Sequence, residues 1–325
     1  MATTNNANGN GKGRMALGNV KAGKLVSPLR VLLYGVEKVG KSTFAAGAPK
    51  PIFICPEDGT AELDVARFPE PATWEDVLEA VETLTTEPHE YETIVLDTLD
   101  WIEPMVLAHV IRNSPPSKSG KKPTTIEEAN GGYGKGYEAA VDQWRRLLDR
   151  LAKLRATRSM NVVFLAHSWI KSFNNPAGEN FDRYELMINR KAAGVIKQWC
   201  DDVLFARHDV ETRQDGQRSK GISSSARFLH TTHSAAWDAG NRHDLPERMP
   251  LSWTEFWSAV REARPADPEK LVAEALRLAA GSLVEEKATA AAARVGGDVS
   301  KAAQLLDWVK GRLSMQAEQQ QENAA

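Results

Sequence analysis

Four short apolar runs punctuate the first half of the chain: LRVLLYG (29–35), PIFICPEDG (51–59), YETIVLDTLD (91–100) and MNVVFLAHS (160–168). Each carries its apolar residues on consecutive positions and is bounded by polar or turn residues. Strands of a parallel sheet have that pattern, because helices cover both faces. Between the runs the period lengthens to that of a helix. Over 136–154, Tyr137, Val141, Trp144, Leu148 and Leu151 fall on one face. Alternating strand and helix predicts the α/β class, with a mostly parallel sheet flanked by helices.

After residue 200 the texture changes. DDVLFARHDV and SARFLHTT flank a polar turn containing Asp215-Gly216, which predicts an antiparallel hairpin at the end of the sheet. Beyond Pro265 the chain is rich in Ala and Glu at helical spacing. In a last helix Ala302, Leu305, Leu306, Val309 and Leu313 share a face. That amphipathic stretch, 298–314, either packs on the core or binds a partner or a second copy. The closing EQQQENAA is expected to fray. Residues 1–28 are rich in Asn, Gly, Thr and Lys and hold no acid. Too polar to fold alone, they read as a disordered basic arm, either a solvated leader or an arm that touches phosphates. The expected parts are thus an arm (1–28), a core (29–264) and a helical C-terminal extension with a frayed end (265–325).

Composition narrows the function classes. The chain has 325 residues, 42% hydrophobic and 26% charged, which suits a soluble globular protein. A formal net charge of −2 gives no global basic field, so nucleic-acid binding would have to rest on local patches. Cys55 and Cys200 form neither a disulfide framework nor a zinc spacing, and Cys55 reads as a small buried hydrophobe. His230 and His233 stand three apart with no Cys nearby, and read as structural. No apolar run approaches the roughly 20 residues of a membrane span. The polar N-terminus lacks the apolar segment of a signal peptide. The expectation is a cytoplasmic protein without a membrane partner.

The first apolar run ends in GVEKVGKST, which fits G-x-x-x-x-G-K-[ST]. Its residues, Gly35, Val36, Glu37, Lys38, Val39, Gly40, Lys41, Ser42 and Thr43, are the expected nucleotide-binding loop. Glycines let backbone N–H groups curl around an anion. Lys41 reaches the β- and γ-phosphates, the Ser42 hydroxyl ligates Mg²⁺, and the helix starting there turns its positive end to the phosphates. ATP and Mg²⁺ are the implied substrate and cofactor. Lys38 is a second lysine inside the loop: a solvated side chain, a second phosphate contact, or a contact to a neighbouring subunit's nucleotide.

Asp97 closes TIVLD, where a P-loop ATPase places the carboxylate that holds Mg²⁺; the alternative is a turn cap. Many ATPases follow that Asp with a Glu that activates water, but Thr98 follows here. Asp100 is expected to be turning away from the strand end. Glu57, in FICPEDG, is the other candidate base, expected to reach the γ-phosphate from a neighbouring strand that ends on the same edge; otherwise it is an acidic turn residue, with Asp58 a bystander. His167, at the end of the fourth run, either hydrogen-bonds a phosphate or holds a loop.

This ordered set resembles the RecA/RadA superfamily. It is most similar to small phage-encoded RecA-like ATPases of single-strand annealing and recombination, often labelled AAA family ATPase. YGVEKVGKSTFAA, IVLDTLDWIE, GGYGKGYEAA, VVFLAHS and CDDVLFARHD carry the resemblance, over about residues 29–260. It implies a RecA-like P-loop core, Glu57 as general base, and His167 as a sensor coupling phosphate state to the loop that follows. It also implies single-stranded DNA held by two loops, here about 113–136 and 169–191. Lys118, Lys121, Lys122 and Lys135 in the first, and Trp169, Lys171, Phe173, Arg183, Arg190 and Lys191 in the second, would neutralise phosphates and stack bases; otherwise both are mobile surface loops.

RecA-like ATPases commonly assemble head to tail, a neighbour's basic residue completing the site. AGNRHDLPERM (239–249) resembles the segment that carries a Lys-x-Arg pair. Gly240 stands where the Lys would be and Arg242 keeps the Arg position, so Arg242 is the candidate catalytic residue in trans, unless it is a surface turn residue. Lys38 could supply the missing charge. The expected function is a Mg²⁺-dependent ATPase that binds single-stranded DNA and supports annealing or strand exchange as a homo-oligomer. The alternative is a nucleotide-gated adaptor or helicase loader that does not itself bind DNA, with the C-terminal tail as its interface to a replication or recombination protein. A small-molecule kinase fits less well, because INRK is a thin version of an Arg-rich lid.

Overall fold

The structure, a computed structural model, describes residues 26–322 apart from 58, 118, 177, 216–217, 265–267 and 296–298. The basic arm expected over 1–28 falls almost wholly outside the described residues. The chain divides into a core unit from Ser27 to Ala263 and a helical unit from Arg264 onward.

In the core, β1 (Arg30–Gly35), β2 (Pro51–Ile54), β3 (Ala66–Arg67), β4 (Thr93–Asp97), β5 (Asn161–Phe173) and β7 (Asp202–Asp215) run parallel in one sheet. β8 (Arg218–His230) and β9 (Arg248–Pro250) close it antiparallel. The order is β3-β2-β4-β5-β1-β7-β8-β9. Helices α1 (Lys41–Ala46) and α6 (Trp253–Ala263) cover one face. Helices α2 (Trp74–Thr86), α3 (Leu99–Asn113), α4 (Lys135–Arg158) and α5 (Arg190–Trp199) cover the other.

This two-sided cover explains the continuous apolar runs. Along β1, Leu32 and Tyr34 enter the layer beneath α2 to α5, while Val31 and Leu33 enter the layer beneath α1 and α6. All four are fully buried. The predicted apolar face of α4 buries Val141, Trp144, Leu148 and Leu151, and Trp144 meets Trp74 edge-on at 5.7 Å between ring centroids. Truncating either indole would cost roughly 3–5 kcal/mol. α2 starts at a capping box, in which Thr73 accepts from the Asp76 N–H while Asp76 accepts from the Thr73 N–H.

Two expectations change. The stretch from 169 is a hairpin rather than a loop. β5 runs on to Phe173, and β6 (Phe181–Leu186) returns antiparallel, pairing Phe173 with Phe181 and Ser168 with Leu186. Its aromatic and aliphatic residues favour extended backbone on both sides of a Pro- and Gly-bearing turn. The strand before Glu57 also does not adjoin the phosphate-loop strand. β2 neighbours β3 and β4, and both β4 and β5 stand between it and β1.

In the helical unit, α7 (Pro268–Ala279), α8 (Glu285–Ala292) and α9 (Val299–Glu322) bury Ala275, Ala279, Val284, Ala288, Ala302, Leu305, Leu306 and Val309 in a core of their own. The apolar face read over 298–314 is thereby used, and α9 continues to Glu322 through residues expected to fray.

Candidate nucleotide-binding site

Because β1, β2, β4 and β5 are parallel, the C-terminal ends of β1, β2 and β4 deliver Gly35, Glu57 and Asp97 to one edge of the sheet, where β5 makes its last pair with β1 at His167 before running on. Gly35 closes β1 so near β7 that a Cβ would lie 2.1 Å from the Ala206 carbonyl oxygen. The loop then takes left-handed turns at Lys38 (φ 56°) and Gly40 (φ 102°), and α1 begins at Lys41. The Lys38 side chain is exposed.

Lys41 is buried, and its Nζ donates to the carbonyls of Val36 (3.0 Å) and Gly35 (3.4 Å). Burial pulls its pKa down against the opposing charges of Asp97 and Asp100. Asp97 is 4% exposed. Burial pushes its carboxyl up, opposed by a hydrogen bond from Ser42 and by the charge of Lys41. Its Oδ2 has no hydrogen-bond partner among the described residues. A buried carboxylate with a spare oxygen beside a serine hydroxyl is an oxygen donor set suited to Mg²⁺.

Glu57 follows β2 by three residues. Burial, then the neighbouring Asp97 charge, raises its pKa, while His167 and Lys41 act in the opposite direction. Glu57 thus stands next to the Asp97 strand, two strands further from the phosphate loop than expected, and still within the field of the loop lysine.

Asp100, expected to turn away, does the opposite. β4 passes into α3 within one residue, and the first turn of α3 aims Asp100 at the end of β5. Its Oδ1 accepts the His167 backbone N–H and its Oδ2 the His167 Nδ1, each at 2.8 Å. Burial acts to raise the Asp100 pKa, but these bonds outweigh it and hold the carboxyl below its ordinary value. An ionised carboxylate is acceptor-only, so Nδ1 carries the proton that bonds Asp100, and Nε2 is the ring nitrogen that Asp100 does not engage. Sequence reasoning also missed Thr98 and Ser168. Their buried hydroxyl oxygens lack a partner among the described residues, and a hydroxyl residue directly after Asp97 and after His167 was the available signal.

The residues expected to touch DNA separate into classes. Lys118 lies outside the described residues. Lys121 pairs with Glu128 at 3.5 Å and Lys191 with Glu138 at 3.4 Å, both on the exposed surface. Lys122, Lys135 and Arg190, which opens α5, are exposed. Lys171 sits 3.9 Å over the Trp169 ring, while Phe173 packs on Phe181 at 5.2 Å. Arg183 is a correction. It is 9% exposed, donates to Asp238 at 2.6 Å and stacks over Phe173, so its charge is bound inside the protein. Two of the GGYGKGY glycines take backbone conformations that favour glycine, and a third sits in close contact. Gly132 and Gly134 have φ of 77° and 80°, and a Cβ on Gly136 would fall 2.0 Å from the Ile126 carbonyl. They present Tyr133 fully to solvent.

Arg242 does not join the site in this chain. It lies 3.5 Å from Asp201, which Arg30 already holds at 2.5 and 3.0 Å. Arg30 opens β1, about 17 Å of strand from Gly35, so Arg242 stands at the opposite edge. Gly240 pairs with Val203 near that same edge. His230 accepts from Arg207 Nε at 3.2 Å and packs on Trp237 at 4.4 Å. Burial and the two arginines Arg207 and Arg248 lower its pKa to about 4. Among the described residues there is no group of three His, Cys, Asp or Glu fit for a metal, and no helix long and apolar enough to cross a membrane.

Comparison with curated proteins returns no match. Among solved structures, one that matches is the RadB recombinase, at 13% identity and a TM-score of 0.34, over 63% of this chain and 89% of that one. A likeness that loose carries no argument. A family model described as an AAA domain matches residues 27–243, a span running from before the phosphate loop through Asp97, His167 and Arg242. More than half of the chain lies in that match, and the chain belongs to this AAA domain family.

Proposed function

We propose that the chain hydrolyses ATP and couples that reaction to single-stranded DNA, in support of annealing or strand exchange by a homo-oligomer. The observation that supports the reading most is the mutual electrostatic reach of Lys41, Asp97, Glu57, Asp100 and His167 at one sheet edge. In this reading the N–H groups of Gly35 to Thr43 cradle the phosphates and Lys41 sets its charge against them. Ser42 and Asp97 would hold Mg²⁺, which neutralises charge on the phosphate oxygens when bound. Glu57 orients water and takes its proton, and its raised pKa brings it nearer the working pH of a general base. His167, fixed by Asp100, turns Nε2 to the site and carries its state into β5, where Trp169 and Lys171 stand two and four residues further on.

A second reading, the nucleotide-gated adaptor, draws support from the cations already engaged: Arg183 by Asp238, Lys121 by Glu128 and Lys191 by Glu138. Titration with an unstructured oligonucleotide, with and without ATP and across salt concentrations, separates the two. Direct binding weakens steeply with salt as each neutralised phosphate gives up its condensed counterion. Absence of binding at low salt would sink the DNA reading and leave the adaptor.

A further inference from the structure

The phosphate loop touches a cation that its own motif does not contain. β7 keeps its parallel pairing with β1 as far as Ala206, opposite Gly35. It then leaves the sheet edge with β8 alone, pairing Arg207 with Phe228 and His208 with Arg227. Arg227 is therefore carried past the end of β1, level with the loop. It falls on the same face of β8 as Leu229, which is buried in the layer of Val39 and Phe44. Arg227 Nη1 donates to the Val39 carbonyl at 3.3 Å. A Cβ built on Gly40 would lie 2.6 Å from the same nitrogen. The Nη1 end of this otherwise exposed arginine thus rests against the Val39–Gly40 segment, whose N–H groups a bound phosphate needs. On the other side the Arg227 carbonyl accepts from Leu251 N at 3.0 Å, and Leu251 lines the same Gly40 surface. Among the described residues no carboxylate lies within ion-pair distance of Arg227.

The hairpin changes character at this residue. The register is regular from Phe205–His230 to His208–Arg227, then shifts, and resumes at Val210–Ser223 out to Asp215–Arg218. A bulge unpairs and bends a ribbon locally. Arg227 is the last residue of the regular base before that bend, and the one that holds the phosphate loop.

We propose that Arg227 is a positioning residue that holds the Val39–Gly40 segment in its phosphate-binding shape and makes the β7–β8 hairpin respond to nucleotide. The proposal rests on the nucleotide reading above. When phosphate fills the loop, the segment Arg227 grips is fixed, and the hairpin beyond the register shift is fixed with it. When the loop relaxes, the hairpin is released at the same point.

The test uses the full chain. ADP and a non-hydrolysable ATP analogue are titrated into wild type, Arg227→Met and Arg227→Lys, and hydrogen exchange of the 205–230 amides is followed with and without saturating ADP. Loss of one charge-assisted bond predicts about tenfold weaker binding of both nucleotides in Arg227→Met, with partial recovery in Arg227→Lys. Equal loss for the two nucleotides marks action through the loop rather than on the γ-phosphate. Hairpin exchange slows with ADP in wild type and responds less in Arg227→Met even at saturation, a readout that a merely structural role would not move. A wild-type hairpin indifferent to ADP, or an Arg227→Met chain that binds and responds as wild type, overturns the proposal. If wild type binds no nucleotide, the nucleotide reading falls and takes this one with it. Binding in wild type with no Arg227 effect removes this one alone.

Discussion

The two edges of the sheet set their charges in different company. At the N-terminal edge Arg30 holds Asp201 through two hydrogen bonds, and Asn161 accepts from the Leu29 N–H. These partners hold strand ends in register, and both sides of each bond lie within the protein. Asp202, which opens β7 at the same edge, is fully buried; neither of its carboxylate oxygens has a hydrogen-bond partner among the described residues, but His243 Nε2 lies 3.4 Å from one of them. At the C-terminal edge buried polar atoms are also left open, in a different setting. Asp97 Oδ2 and the hydroxyls of Thr98 and Ser168 lack partners among the described residues, while Lys41 leans on carbonyls of its own loop. Buried polar atoms without partners cost about 1–3 kcal/mol each. Both edges thus carry such atoms, but Asp202 faces the His243 ring at 3.4 Å, whereas Asp97 faces the lysine of the phosphate loop, and groups left open in that way collect at functional sites. The comparison predicts that substitutions at the C-terminal edge change function more than stability, and that those at the N-terminal edge do the reverse.

The largest break would come from Lys41→Ala. It removes the one loop cation that faces both Asp97 and Asp100, and nucleotide affinity should fall by about 100-fold or more, read by calorimetry. Unfolding midpoints should stay near wild type, since the buried ammonium is itself a desolvation cost. Near-normal affinity would remove Lys41 from the site. Glu57→Gln comes next. Binding should persist while turnover falls on the order of 10²- to 10⁴-fold, and normal turnover would move the base elsewhere. In wild type the acid limb of the pH–rate profile should lie above the ordinary carboxylate value of about 4.3. The Glu57 pKa is raised, and the base works only when ionised.

Much of this site was legible in residue order, and the reasons are local. The four strands announce themselves because each is buried on both faces, so Val31 to Tyr34 must all be apolar. The phosphate loop is legible because φ of 102° at Gly40 and the close approach at Gly35 both demand glycine. Sheet order was not legible. Which strand lies beside β1 depends on where crossovers land, and nothing in PIFIC says that β2 pairs with β4. Asp100 was misplaced for a smaller reason. The chain does turn after the strand, but it turns directly into helix α3 at Leu99, and the first turn of that helix brings the carboxylate back onto His167. Arg183 read as a DNA contact because its partner, Asp238, is 55 residues away in the chain.

Asp100→Asn sharpens the comparison at an intermediate scale. The amide can still meet one His167 N–H but cannot accept both, so the tautomer is no longer enforced. Turnover should fall about tenfold, the worth of roughly one charge-assisted bond, with nucleotide affinity little changed. Stability carries a sign as well. The Asp100 pKa is depressed in the folded chain, so its contribution is present above the unfolded value of about 3.9 and fades as pH falls through the folded value. Acid unfolding of the variant should lose that component. An unchanged acid transition would mean that the His167 bonds do not stabilise the fold.

At the N-terminal edge Asp201→Asn should do the opposite of Glu57→Gln. It leaves Arg30 and Arg242 facing a neutral amide, and should cost about 1–3 kcal/mol in denaturant unfolding with turnover per folded molecule unchanged. A turnover defect without a stability defect would erase the distinction between the edges.

The smallest expected effect is that of Arg242→Ala. Its pair with Asp201 is long at 3.5 Å and its side chain is 63% exposed, so its removal should change stability by less than about 1 kcal/mol. Within one chain it stands a strand's length from the phosphate loop, so dilute protein should hydrolyse ATP as wild type does. The informative measurement is turnover against protein concentration. If both proteins follow one curve, Arg242 belongs to the structural edge and the comparison holds. If wild type accelerates as copies associate and Arg242→Ala does not, the exposed end of that guanidinium completes a neighbour's C-terminal edge, and the two edges are halves of one site divided between subunits.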